Sequence, residues 1–238
     1  MTANPGTPKL VTRKLVPPRS AGESRSLAHR VWYDFLRVGC RLAAVGLGNF
    51  RAHGREHWPA KGGVLVLANH QSHFDPLLVG LTCNRRLNYL ARESLFHFPP
   101  FRLLIESLDA IPVDREGLGL AGLKETLKRL KRGEIVLIFP EGTRTPDGKV
   151  GLLKPGFSAL ASRSGVPMLP VAIEGAFQMW PRKQLLPIPW GEIQVEIGAP
   201  IMPDEIGRQS DRELVDLVSA RIQELHARAC ERRRIARG

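Results

Sequence analysis

The chain has no pair of cysteines at Cys-x-x-Cys spacing. Its three cysteines, Cys40, Cys83 and Cys230, are scattered and odd in number, which argues against a disulfide framework and a zinc knuckle and fits a reducing compartment. It is also short of uncharged sequence: the longest stretch without Asp, Glu, Lys or Arg is 62–74, whereas crossing a bilayer takes about 20 apolar residues. Residues 1–24 hold four prolines and no apolar run of the kind a secretory signal requires. Aromatic residues make up only 6% of the sequence, too few for a base-stacking platform, so no nucleic-acid partner is expected. Glycine-rich dinucleotide and Walker loops are missing, and so is a Gly-x-Ser-x-Gly elbow, so neither nucleotide binding nor a covalent serine nucleophile is indicated.

What the sequence does hold is an ordinary globular composition, with 43% hydrophobic residues in 238, enough for one sizeable core. The net charge of +12 is uneven. Residues 1–55 carry 10 Lys or Arg against 2 Asp or Glu, residues 56–220 carry 19 against 19, and residues 221–238 carry 6 against 2. Basic ends on a neutral body suggest docking to a polyanionic surface, either a phospholipid membrane or a nucleic acid, the few aromatic residues weighing against the latter.

Residues 1–23 read as a disordered basic arm. From 24 to 52 the pattern is helical: Arg30, Asp34, Arg37 and Arg41 share one face, while Val31, Trp32, Phe35, Val38, Leu42 and Val45 occupy others. Such a helix either covers the core or lies in a membrane interface. Over 53–238, short apolar runs at Val64–Ala68, Leu87–Ala91, Ala110–Val113, Ile135–Phe139, Met168–Ile173 and Ile193–Ile197 predict strands. They alternate with helical patterns at 118–132, stopped by Gly133, and from Ser210, where Glu213 completes a capping box. The fold class expected is α/β, a single domain with a mixed, largely parallel sheet flanked by helices and preceded by the amphipathic segment.

Chemistry gathers where strands end. Asn69-His70-Gln71-Ser72-His73-Phe74-Asp75 follows the first strand, and a tight loop would return the Asp75 carboxylate to the His70 imidazole, fixing its tautomer and freeing the other nitrogen as a base. The same segment read as a metal site lacks the His-x-His-x-Asp-His spacing of metallohydrolases, so no metal is expected. Asp114-Arg115 and Glu141-Gly142-Thr143-Arg144 follow two other predicted strands and offer donors suited to a phosphate. With no enzyme nucleophile in view, the nucleophile should belong to a substrate.

These blocks, in this order, resemble the glycerophospholipid acyltransferase family, whose best-known type is the lysophosphatidate (1-acyl-sn-glycerol-3-phosphate) acyltransferase. Asn69–Asp75 resembles its Asn-His-x-x-x-x-Asp block, Ile111–Arg115 its second, Phe139–Arg144 its third and Val166–Ile173 its fourth, so the likeness spans about residues 60–175. Asp109 stands where the second block commonly opens with glycine. The resemblance implies a peripheral enzyme on the cytoplasmic face of the membrane that moves a fatty acyl group from acyl-CoA or an acyl carrier protein thioester to a lysophospholipid. In it His70 is the general base oriented by Asp75, and no acyl-enzyme forms. Arg115, Glu141, Gly142, Thr143 and Arg144 hold the acceptor, and Asn69, Arg92, Lys154 and Pro170 support the site. No cofactor is implied beyond the thioester co-substrate. Another lysolipid acceptor, such as a lyso-ornithine lipid, is the alternative within that reading, and a non-catalytic membrane- or RNA-binding protein the alternative outside it.

Overall fold

The computed structural model of the chain describes residues 27–92, 111–113, 119–184 and 186–237. The arm 1–23, Asp109, Asp114 and Arg115 therefore lie outside the described residues.

Helix α1 (Leu27–Gly48) leads into β1 (Arg51–His53), then β2 (Val64–Ala68), α2 (Asp75–Thr82), β3 (Leu87–Arg92) and β4 (Ile111–Val113). Helix α3 (Gly119–Lys131), β5 (Ile135–Ile138), α4 (Ser158–Ser164), β6 (Met168–Glu174) and α5 (Ala176–Met179) follow, then β7 (Gln194–Ile197), α6 (Pro203–Ile206) and α7 (Asp211–Arg237). The strands form one seven-stranded sheet in the order β1-β7-β6-β2-β5-β3-β4. Strands β6, β2, β5, β3 and β4 run parallel, while β7 pairs antiparallel with β6 and carries β1 parallel to itself. The mixed, largely parallel α/β sheet is thus as expected, with six anticipated strands and one more. Strand β1 is short, polar and at the edge, so its own side chains carry no apolar signal. It also places the start of the sheet at Arg51, two residues before the expected domain boundary.

Strand β2 is buried along its whole length, and its side chains alternate between two cores as the period of 2 demands. Val64, Val66 and Ala68 pack with Leu78, Val79, Ile135, Leu137, Leu169 and Val171. Leu65 and Leu67 pack on the other face with Leu130, Leu160, Leu214, Val218 and Ile222. Covering both faces puts the carboxyl ends of β2, β5 and β6 side by side at one edge, where the polar loops emerge. The capping box holds as read, with Ser210 N–H donating to Glu213 Oε2 at 2.8 Å and Glu213 N–H to Ser210 Oγ at 3.3 Å.

Two groups of charges find partners in the folded chain. Of the carboxyl-terminal arginines, Arg233 is buried against Glu174, while the half-exposed Arg232 and Arg237 pair with Glu196 and Glu192. On α1, Cys40 and Ala44 pack against the core and Arg41 is exposed. Arg37 donates to the Cys83 carbonyl and, at 3.5 Å, to Asn84 Oδ1, just past the carboxyl end of α2, where unsatisfied carbonyls attract a cation. Phe35, Val38, Leu42 and Val45, at spacings of 3, 4 and 3, point outward and are 68%, 58%, 68% and 49% exposed.

Candidate functional site

The loop after β2 is anchored by Asn69, whose buried amide takes the place of a strand rung. Its Nδ2 donates to the Ile173 carbonyl at 2.9 Å and its Oδ1 accepts from Ile173 N–H at 2.7 Å. His70 then turns outward while Asp75, the first residue of α2, stays fully buried. Three groups converge on Asp75 Oδ2: His70 Nδ1 at 2.7 Å, Gln71 N–H at 2.6 Å and Ser72 N–H at 2.7 Å. An oxygen that already accepts from two backbone N–H groups is an acceptor toward the third. The proton of a neutral imidazole is thereby assigned to Nδ1, and Nε2 is left with a lone pair. The ring stacks on Phe139 with centroids 4.0 Å apart and planes 15° from parallel, and 19% of its side chain remains exposed.

Glu141 sits beneath this histidine. Its Oε1 accepts from His70 N–H at 3.0 Å, and Gly151 N–H is a second backbone donor to the carboxylate. Burial pushes the Glu141 carboxyl up to about 7; the two N–H groups pull the other way and the Asp75 charge adds to the rise. The loop is closed from above as well, because Thr145 N–H donates to the His70 carbonyl at 2.8 Å. Glu141 therefore braces the histidine's backbone with its own buried carboxylate.

Beyond Glu141 the block after β5 comes to the surface at Gly142 and Thr143. Gly142 has φ of +70°, and a Cβ there would meet Lys154 Nζ at 3.0 Å, so glycine permits both the turn and the approach of the lysine. Thr143 is exposed and its hydroxyl accepts from Arg182 at 3.2 Å. Arg144 is half-buried. His73 is lowered to about 4, first by burial and then by nearby Arg144, and with Lys154 against Gly142 and Arg182 on Thr143 the mouth of the site is cationic. Arg92 ends β3 at the same edge of the sheet. Pro170 lies within the sheet opposite Leu67, its carbonyl taken by Gly198 N–H at 2.9 Å, and shapes β6 rather than lining the mouth.

A second cluster was not legible in the sequence. The Gln71 amide donates to the Gly148 carbonyl at 2.6 Å and to Glu174 Oε2 at 3.1 Å. Glu174, at the end of β6, also pairs with His226 at 3.0 Å and Arg233 at 2.5 Å on α7. Burial tends to raise the Glu174 carboxyl, but His226, Gln71 and Arg233 outweigh it and hold it down at about 2. Glu174, His226 and Cys230 are a trio among the described residues whose ligand atoms lie within 4.8 Å of one another. Since Arg233 already supplies the cation to this carboxylate, we read the trio as an ion-pair cluster. Its effect is to lock the side chain of the residue next to His70. The sequence held one signal for it, the i, i+4 spacing of His226 and Cys230, but no hint of the partner some fifty residues upstream.

A family model described as Acyltransferase matches residues 49–174, which take in both the His70 loop and the block after β5. Over 201 residues the chain is 36% identical to the 1-acyl-sn-glycerol-3-phosphate acyltransferase of Pseudomonas aeruginosa, covering 83% of this chain and 73% of that one. Over 198 residues it is 28% identical to the enzyme of that name from Bacillus subtilis, covering 81% and 96% respectively. The crystal structure of the 1-acyl-sn-glycerophosphate (LPA) acyltransferase PlsC from Thermotoga maritima superposes with a TM-score of 0.73 at 28% identity, covering 85% of this chain and 81% of that one.

Proposed function

The chain belongs to the acyltransferase family, and from that premise we propose that it acylates the free hydroxyl of lysophosphatidate, giving phosphatidate, with a fatty acyl thioester of CoA or acyl carrier protein as donor. The observation that carries the reading is the arrangement at Asp75 Oδ2, where two backbone N–H groups and His70 Nδ1 converge, so that in this reading Nδ1 keeps the proton and Nε2 is the base. In the proposed reaction Nε2 takes the proton from the acceptor hydroxyl as its oxygen bonds to the thioester carbonyl carbon. The tetrahedral intermediate collapses, the carbon–sulfur bond breaks, and the imidazolium returns its proton to the leaving thiolate. Asp75 carries the counter-charge for the imidazolium. A thioester is already activated, so general base catalysis and positioning suffice and no acyl-enzyme is needed.

Arg144, Arg115 and Lys154 are assigned to the acceptor phosphate, for which a cationic mouth and guanidinium forks are suited. Glu141 is assigned to positioning: its carboxylate serves two backbone donors and braces His70. Gly142 and Thr143 shape the turn that presents Arg144.

Phosphatidate and its precursor reside in bilayers, and among the described residues no helix is long and apolar enough to cross one. We assign α1 to the lipid surface through its outward apolar stripe, Phe35, Val38, Leu42 and Val45, on the cytoplasmic face. Arg37 has the separate task of tying that helix to the body.

The experiment is a matrix. Purified protein is given lysophosphatidate or a lyso-ornithine lipid in detergent, each with acyl-CoA and with acyl carrier protein thioester, and acylated lipid is measured by mass spectrometry. Phosphatidate should dominate. Faster acylation of the phosphate-free acceptor would overturn the assignment of substrate, and acyl protein that turns over to product would overturn the direct transfer.

A further inference from the structure

The described residues of 180–191 form a largely exposed segment between α5 and β7 that the catalytic reading leaves unused. It is a held loop: Ile188 N–H donates to the Met179 carbonyl at 2.7 Å, Gln184 N–H to Pro181 at 3.2 Å, Trp180 Nε1 to the Gln184 carbonyl at 3.1 Å and Gln184 Nε2 to the Leu186 carbonyl at 2.7 Å. At its end Gly191 N–H donates to the Leu47 carbonyl of α1 at 2.9 Å. This bonded frame displays apolar side chains to water, with Leu186, Ile188 and Trp190 being 70%, 51% and 75% exposed. Trp190 does so with φ of +72°, a backbone region that disfavours a bulky side chain.

The loop has the chemistry of a lipid interface. No Asp or Glu occurs between Gly175 and Gly191, and Arg182 and Lys183 are exposed beside the apolar tips. An apolar patch rimmed by cations, with an indole among its outermost groups, matches an anionic headgroup layer over acyl chains. It also abuts the end of α1, where Leu47 and Trp190 line one surface cleft. On its other side the segment reaches the catalytic loop. Ser72 donates to the Trp180 carbonyl at 2.9 Å, the Trp180 ring lies 4.7 Å from His73, and Arg182 donates to Thr143 at 3.2 Å.

We propose that the 181–190 loop is a second footing on the anionic bilayer, seating Leu186, Ile188 and Trp190 among the lipids next to the mouth of the site, so that an acceptor reaches His70 without leaving the membrane. This rests on the reading of α1 as a membrane-surface helix, and the test separates the two.

Full-length protein and a Leu186→Ser, Ile188→Ser, Trp190→Ala variant are floated with vesicles of phosphatidylglycerol and phosphatidylethanolamine. Both are then assayed on vesicle-embedded long-chain acceptor and on a short-chain acceptor below its micelle concentration. The expected result is that the variant partitions about tenfold or more less well and loses vesicle activity in step, while activity on the soluble acceptor and the melting temperature hold. Brominated lipids should quench the emission lost on Trp190→Phe. A variant that floats and works on vesicles like the parent overturns the loop footing and leaves α1 standing. A parent protein that does not float overturns the membrane reading and the loop with it. Equal loss on soluble and embedded acceptor makes the loop a wall of the site and also refutes the proposal.

Discussion

Asp75→Asn is the substitution whose outcome the geometry bounds most tightly. The asparagine carbonyl can take the position of Oδ2 and accept from Gln71 N–H and Ser72 N–H as before, so the loop keeps its path. Two things change. The acceptor for His70 Nδ1–H becomes neutral, and hydrogen bonds to charged groups contribute about 1.5–3 kcal/mol against about 1 for neutral ones. In addition the amide NH₂ falls where Oδ1 sits, a buried position with no protein donor or acceptor beside it, at a stability cost of about 1–3 kcal/mol. If that difference, about 0.5–2 kcal/mol, is felt in the transition state, where the imidazolium forms, kcat falls roughly 2- to 30-fold, at 1.36 kcal/mol per decade. The assay is steady-state kinetics on detergent-dispersed lysophosphatidate, with thermal melting alongside. KM for the acceptor should change little, because Asp75 is buried and touches no substrate. A folded variant whose kcat is unchanged from wild type would refute the assignment of His70 as base and Asp75 as its counter-charge.

Three further expectations follow from particular side chains. The native Glu141 carboxyl, raised to about 7, binds more protons than its unfolded counterpart between roughly pH 4.5 and 7, so wild-type stability should fall as pH rises through that window. Glu141→Gln should flatten the trend, and melting curves at pH 5 and 7.5 that change equally in both proteins would contradict the buried-acid reading. Arg144→Ala should lower kcat/KM for lysophosphatidate by roughly 10- to 150-fold and spare a phosphate-free acceptor, whereas equal losses on the two would remove it from phosphate recognition. Glu174→Ala leaves the Arg233 guanidinium buried without its counter-charge, at a cost of about 3–5 kcal/mol. Differential scanning calorimetry should show the melting temperature lowered by roughly 10 °C, and a change under about 2 °C would mean the pair is relaxed in solution.

The central strands were legible because Val64–Ala68 and Ile135–Ile138 are buried on both faces and so appear as continuous apolar runs. Arg51–His53 escaped because an edge strand pairs through its backbone, and nothing in Arg-Ala-His announces that. Helical periodicity located α1 and separated its faces, but period alone does not say which face is inside. That is seen in the fold, where Cys40 and Ala44 pack on the core and Arg37 turns to the carbonyls at the far end of α2. The His70–Asp75 pair was readable since it is local, five residues apart. The carboxylate under it is visible as a residue, but spacing does not distinguish a side chain that meets substrate from one that meets backbone N–H groups, as Glu141 does. The Gln71, Glu174 and His226 cluster joins three elements that only the closed sheet brings together, and no local pattern encodes it.

The clasp between the Asn69 side chain and the backbone of Ile173 has a consequence for how the protein breathes. Both partners are fully buried, and the clasp sits on the rung where β2 gives way to the catalytic loop. A loop fastened at that point to a central strand cannot open as a small independent unit. Releasing it means parting β2 from β6, which is the opening of the whole core. The Ile173 amide should therefore exchange with deuterated solvent only through global unfolding, slowing and quickening with every change in overall stability. His70 is held in the most cooperative part of the fold, and substrates must come to it by movements of the outer segments alone.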